Sequence, residues 1–252
     1  MKKKPGASPK NSYREEIING PITLTMMKLA WPIMITNGMQ VFYNIADTFW
    51  VGKIGAQAVA AISVSFPIVF LLISMGAGIT IAGTTLVAQY TGAGDKESTD
   101  KVASQLLVFI FSLSAVLSFI GFLFNENILK LMGTPQEVIG KATSYMDVFF
   151  MGLPFMFLFF VFSALLRGVG DTKTPMKMMI ISVIINVIAD PFIIFGWSFF
   201  PELGVQGAAM ATISSRAVAG FMGMYMLFSG KKGVFIKKEY LKPDLDMYKQ
   251  IL

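Results

Sequence analysis

Five stretches of this chain are nearly free of charge, and they decide what it can fold into. No Asp, Glu, Lys or Arg occurs from Ile54 to Gly94 or from Val102 to Asn125, and Ala142 to Leu166 holds only Asp147. Met178 to Pro201 and Leu203 to Gly230 carry one charge each. A helix needs about 20 apolar residues to cross the hydrocarbon core of a bilayer, and every stretch supplies them. Charged residues make up 14% of the chain, against roughly 25% in a soluble domain. The pattern predicts an all-α polytopic membrane protein, a bundle of six transmembrane helices. The spans fall near Met27–Val51, Val59–Tyr90, Val102–Phe124, Thr143–Leu166, Met176–Phe199 and Val205–Phe228.

The net charge of +6 does not point to nucleic acid, because the basic residues follow membrane topology. With the N-terminus inside, seventeen Lys and Arg fall in cytoplasmic segments, and Lys53, Lys130 and Lys141 fall outside. That asymmetry predicts both ends of the chain in the cytoplasm of a cell (inner) membrane protein. The basic N-terminal segment lacks the apolar core of a cleaved signal peptide. The chain has neither Cys nor His, which excludes disulfides, thiolate metal sites and imidazole chemistry. No cofactor is expected.

The first span, PIMITNGMQVFYNIADTFWVG from Pro32 to Gly52, is the exception to apolarity. Asn37, Gln40, Asn44 and Asp47 recur at spacings of three, four and three, which places them on one helical face. Tyr43 borders that stripe. A carboxylate within the membrane is costly, and it marks a functional site by default. The fifth span repeats the arrangement with Asn186 one turn before Asp190. Pro191 follows directly; it lacks an N–H and clashes with the carbonyl of Val187, so a kink is expected that frees a carbonyl beside the carboxylate. Spans one and five run in the same direction, and both aspartates lie in their outer halves. They can therefore face one cavity, as a pair able to take a proton or to hold Na⁺ with amide and carbonyl oxygens. Thr212 and Arg216, four apart, give the sixth span a polar face. Arg216 is a candidate counter-charge to either aspartate, and Asn37, Gln40 and Arg216 are candidate cavity-lining residues. A buried structural ion pair is the competing reading. Asp147, near the outer end of its span, reads as interfacial.

Two inner connections share a Gly-x-Gly-Asp pattern followed by lysine, at 92–95 in QYTGAGDKE and at 168–171 in LRGVGDTKTP. Such a pattern suits a glycine ending one helix and an aspartate capping the next. A gate loop within an internal duplication is the alternative.

These segments, together with WP…YNIADTFWVG, NVIADPFIIF and GVQGAAMATISSR, resemble the multidrug and toxic compound extrusion (MATE) transporters. The resemblance runs from about Ile22 to Gly230, in order, and matches the N-terminal half of that family. It implies one six-helix lobe of a twelve-helix transporter. Residues 1–25 would be a cytoplasmic segment, 26–229 the lobe, and 230–252 a basic amphipathic linker to a second lobe, in the same gene product or a partner chain. It implies a cation or proton site at Asp47 with Tyr43 and Asn44, Asp190 with Asn186, and Thr212. It also implies a helix that bends at Pro32. The function implied is export of organic cations or other amphipathic small molecules by alternating access, in exchange for H⁺ or Na⁺, with no enzymatic reaction.

A flippase for lipids or lipid-linked sugars, from the same broad superfamily, is the runner-up. Flippases favour strongly cationic cavities, and a single arginine within the spans fits that poorly. An intramembrane aspartyl protease needs its Gly-x-Gly-Asp aspartate in the membrane, whereas both copies here sit in charged loops. A seven-span receptor gives no reason for two carboxylates on parallel helices.

Overall fold

A computed structural model describes residues 17–197, 200–230 and 232–251. The basic residues counted above up to Arg14, and Lys231, lie outside the described residues. Six long helices follow one another: α1 (Ile22–Gly52), α2 (Ala56–Ala93), α3 (Lys96–Leu131), α4 (Gln136–Gly168), α5 (Lys173–Phe195) and α6 (Gly204–Phe228). A 3₁₀ turn (Lys238–Tyr240) and the short α7 (Leu245–Ile251) complete the described chain. Every expected span is present as a helix. Most run past their apolar windows, because α-helix continues through the polar ends: α3 begins six residues before Val102 and α4 seven before Thr143. The fifth stops earlier than expected, at Phe195, where Gly196 takes a left-handed φ of 69° and caps it.

By length and composition, α2, α3, α4 and α5 are apolar enough to cross a membrane. The two remaining long helices, α1 with 31 residues and α6 with 25, are diluted by the polar residues that the sequence singles out. Neither Pro32 nor Pro191 interrupts its helix, each lying inside a continuous element. Beside Pro32 the Thr36 hydroxyl donates to the Pro32 carbonyl at 2.8 Å.

The bundle is organised around α4. Of its most apolar 18-residue window 72% is buried, against 22% for α3 and 28% for α2. It packs against α2, α3 and α6, and α5 joins α6 to α1. Small residues let the helices close up, as packing in lipid requires. A Cβ on Gly223 of α6 would lie 2.4 Å from the Phe162 ring of α4, and one on Gly220 would lie 3.2 Å from the backbone of Phe159. α1 is the peripheral member, and Trp31, Met34, Val41, Phe42, Ile45 and Phe49 are exposed on it.

Both Gly-x-Gly-Asp connections are capping turns at the same end of the bundle. Gly94 and Gly170 adopt φ of 79° and 86°. Asp95 accepts from the Ser98 N–H at 3.0 Å and its hydroxyl at 2.6 Å. Asp171 does the same for Thr174, at 2.9 and 2.6 Å. The Ser98 bonds hold the Asp95 carboxyl below the usual carboxylate range.

The C-terminal segment, expected as a linker, lies folded against this same end. Gln105 of α3, 1% exposed, donates to the carbonyls of Tyr240 and Lys242, both at 2.6 Å, and accepts from the Asp244 N–H at 3.0 Å. Asp100 and Ser104, one turn apart on the same face, accept from the N–H groups of Phe235 and Lys237. Val234 and Ile236 are buried in the core, and the Tyr248 ring packs tilted against Phe109 with centroids 4.9 Å apart. Lys101 pairs with Asp244 at 2.8 Å, and Lys232 reaches Asp171 at 3.5 Å.

Candidate functional site

Three helices carry the site. Period 3.6 aligns Gln40, Tyr43, Asn44 and Asp47 along α1. The same period sets Asn186 one turn before Asp190 on α5, and puts Thr212, Ser215 and Arg216 together on α6. Because α5 packs between α1 and α6, the three stripes meet.

Asp190 and Asn186 are completely buried, and the Asn186 amide donates to Asp190 Oδ1 at 3.1 Å. Across the helix junction the Thr212 hydroxyl donates to Asp47 Oδ2 at 3.0 Å. The Asp47 and Asp190 carboxyls lie within hydrogen-bonding reach of each other, with Asn186 in reach of both. Tyr43, 2% exposed, donates to the Thr212 carbonyl at 3.1 Å and lies 3.1 Å from the Ser215 hydroxyl. Tyr145 of α4 flanks the site within electrostatic reach of Asp47 and Tyr43.

Several oxygens on these helices have no hydrogen-bond partner. Asp47 Oδ1, Asp190 Oδ2, Asn186 Oδ1 and the Ser182 hydroxyl are buried without a hydrogen-bond partner. An unsatisfied buried polar group costs about 1–3 kcal/mol, more when charged, and native proteins keep few of them. Two carboxyls facing each other thus leave buried acceptor oxygens that no donor among the described residues fills.

Arg216 takes a different place from the one its sequence position suggests. Among the described residues no ion pair joins it to either aspartate. Its guanidinium donates to Gln40 Oε1 and lies 2.9 Å from Met179 Sδ. The group is centred 4.9 Å from the Tyr43 ring and 5.2 Å from the Phe159 ring. Two aromatic faces and an amide hold it within electrostatic reach of Asp47.

Of the other residues marked in the sequence, Gln40 bonds Asn44 at 3.1 Å while holding Arg216. Asn37 and Asn44 are exposed on this lobe. Val41, Asn44, Ile45, Thr48 and Phe49 line a shallow open depression there. Asp147 is half-buried and accepts from the Asn125 amide at 3.0 Å. The residues not anticipated are Ser182, Ser215, Tyr145 and Met179. Ser215 completes a polar stripe at spacings of three and one from Thr212 and Arg216, so periodicity held a signal for it. Tyr145 and Met179 come from helix packing, for which the sequence has no local sign.

A family model, MatE, matches residues 32–192. The chain belongs to the MatE family. Among MATE relatives it is 38% identical over 86% of its length to the probable multidrug resistance protein YoeA of Bacillus subtilis, covering 48% of that protein. It is 32% identical over 85% of its length to an FAD transporter of Shewanella oneidensis, covering 47%. Its fold superposes on a MOP superfamily transporter from Pyrococcus furiosus with a TM-score of 0.87 at 28% identity, over 98% of this chain and 53% of that one. The chain thus spans about half the length of the MATE proteins it matches, as one helical lobe.

Proposed function

We propose that this chain forms the N-terminal lobe of an antiporter that exports organic cations and other amphipathic drugs in exchange for H⁺ or Na⁺. Asp47 and Asp190 are its coupling carboxylates, with Asn186, Thr212, Tyr43 and Asn44 around them. The observation that carries the reading is the set of buried, donorless oxygens on two facing carboxyls at the junction of α1, α5 and α6. Such a pair is poorly stabilised when empty and well stabilised when it holds a cation. Binding there changes the balance of lobe conformations, and substrate bound elsewhere in the cavity changes it the other way. Alternating access follows from that difference, as in transporters whose sites lie near the bilayer midplane.

The drug-like substrate class is supported by relatives described as multidrug resistance and export proteins. The second lobe, continuing beyond the 230–252 segment or supplied by a partner chain, would complete the cavity. The end that carries both capping turns and the lysine-rich C-terminal segment is assigned to the cytoplasm, on the excess of Lys and Arg there.

The test uses the complete transporter reconstituted in vesicles, with a pH gradient and a Na⁺ gradient imposed separately. Efflux should follow one of the two gradients. Asp47→Asn and Asp190→Asn should each abolish gradient-driven efflux while the protein still inserts. Normal driven efflux in both variants would overturn the assignment.

A further inference from the structure

Arg216 is the one charged group of the cluster that the coupling scheme leaves unused. Every other described Lys or Arg lies within two turns of a helix end or in a connection, whereas Arg216 is the thirteenth of 25 residues in α6 and 4% exposed. A fixed positive charge at that position must balance something. The groups facing it from each packed helix are few. From α1 come Gln40, Tyr43 and Asp47; from α4, the Phe159 ring, with Tyr145 behind Tyr43; from α5, Met179. The carboxyl in its reach is Asp47, and Asp190 lies against Asp47.

Tyr43 ties these parts together. Its ring carries the guanidinium at 4.9 Å, its hydroxyl holds the Thr212 carbonyl, and Thr212 in turn holds Asp47. Arg216 is thus fixed near Asp47 and makes no ion pair with either aspartate. A direct ion pair would occupy the oxygens that the cation needs. Held at one remove, the guanidinium neutralises charge without occupying the site.

From this arrangement, and resting on the coupling reading above, we propose that Arg216 sets the number of cations the lobe exchanges. Two carboxylates carry two negative charges and Arg216 supplies one positive, so one mobile monovalent cation brings the cluster to neutrality. In a low-dielectric interior an uncompensated charge is costly, and the neutral state is the one that can close. Without Arg216, neutrality takes two cations. Arg216 is a positioning charge that acts through the field at the pair.

The experiment measures the largest substrate gradient that a given cation gradient sustains in vesicles containing the complete transporter, with the membrane potential clamped at zero. One cation more per turnover makes that limit steeper by about tenfold for each tenfold step in cation concentration, each such step being worth about 1.4 kcal/mol per cation. Arg216→Met and Arg216→Gln should both show the steeper limit, and Arg216→Lys should keep the wild-type value. Direct counting of H⁺ or Na⁺ bound by the purified transporter should give one more in the neutral variants, and this requires no transport. An unchanged count in the neutral variants overturns the proposal. So does a count in Arg216→Lys that matches the neutral variants, since packing and not charge would then be at work. Wild-type efflux indifferent to both gradients would instead remove the coupling reading, and this proposal with it. A coupled wild type with unaltered Arg216 variants removes this one alone.

Discussion

At the scale of residues, the groups that hold the shape of the cluster are distinct from its two carboxyls. Tyr43 has two tasks, a ring under the guanidinium and a hydroxyl bridging α1 to α6. The Thr212 carbonyl also accepts from the Ser215 hydroxyl at 2.9 Å, so removing the phenol leaves it with a partner. Tyr43→Phe should therefore lower stability only by about 1 kcal/mol, the net worth of one hydrogen bond, and should keep coupled efflux. Thermal unfolding in detergent and the vesicle assay check the two halves of that expectation. Tyr43→Ala removes the ring as well, and should cost more in both measurements.

At the scale of elements, the C-terminal segment is the least expected feature. A basic, amphipathic stretch reads as a solvated linker, yet three polar positions on α3 are spent on its backbone. Gln105 satisfies three backbone groups of the segment from one buried side chain. Gln105→Ala leaves them unpaired, a loss of about 1–3 kcal/mol for each group that water cannot reach. Limited proteolysis should then cut within residues 232–251 much faster than in the wild type, with the helical bundle intact. The Lys101–Asp244 pair adds a pH dependence with a definite sign. Lys101 holds the Asp244 carboxyl below the usual carboxylate range, and Asp244 raises the Lys101 ammonium. The carboxyl's contribution is present above its ordinary pKa of about 3.9 and is lost as pH falls through the lowered value. The ammonium's contribution is complete below about 10.4 and is lost as pH rises through the raised value. The segment should stay docked from weakly acidic to weakly alkaline pH and loosen at either extreme, as the same proteolysis would show. Helix contacts have their own test. Gly223→Val places carbon 2.4 Å from the Phe162 ring; it should destabilise the α4–α6 contact by about 1–3 kcal/mol, read as a lowered Tm.

For the molecule as a whole, the uncovered face of α1 is the feature that matters. Asn37 and Asn44 lie among exposed Val41, Phe42, Ile45 and Phe49, beside the aspartate site but open to the outside of this lobe. If the second lobe closes over this face, the two amides line the substrate path. This lobe contains no cysteine, so in the complete transporter, with any cysteine of the second lobe replaced, Asn37→Cys and Asn44→Cys can be labelled one at a time with a membrane-impermeant maleimide. Labelling should slow when substrate is bound, and a cysteine at exposed Phe119 of α3 should be indifferent to it. Equal labelling with and without substrate at both asparagines would place the path elsewhere.

Much of this architecture is legible in the order of residues alone. Six spans can be counted because the bilayer demands runs of about 20 apolar residues, a signal written locally in the chain. The two aspartates stand out because membrane charge is rare, and their amide partners because helical periodicity is also local. Both Gly-x-Gly-Asp turns are readable as caps for the same reason. Three things come from tertiary structure alone. That Asp47 meets Asp190 depends on α5 lying between α1 and α6. That Arg216 rests on Tyr43 and Phe159 in place of a carboxylate depends on which rotamers the packed helices leave open. That residues 232–251 lie strapped to α3 depends on Gln105, whose partners follow it by more than 130 positions. The sequence by itself determined where the helices run and which side chains are too polar for lipid, since both follow from solvent and chain periodicity. Which of those side chains share one buried cluster was decided by packing, because contacts between helices carry no period that a single strand of residues can display.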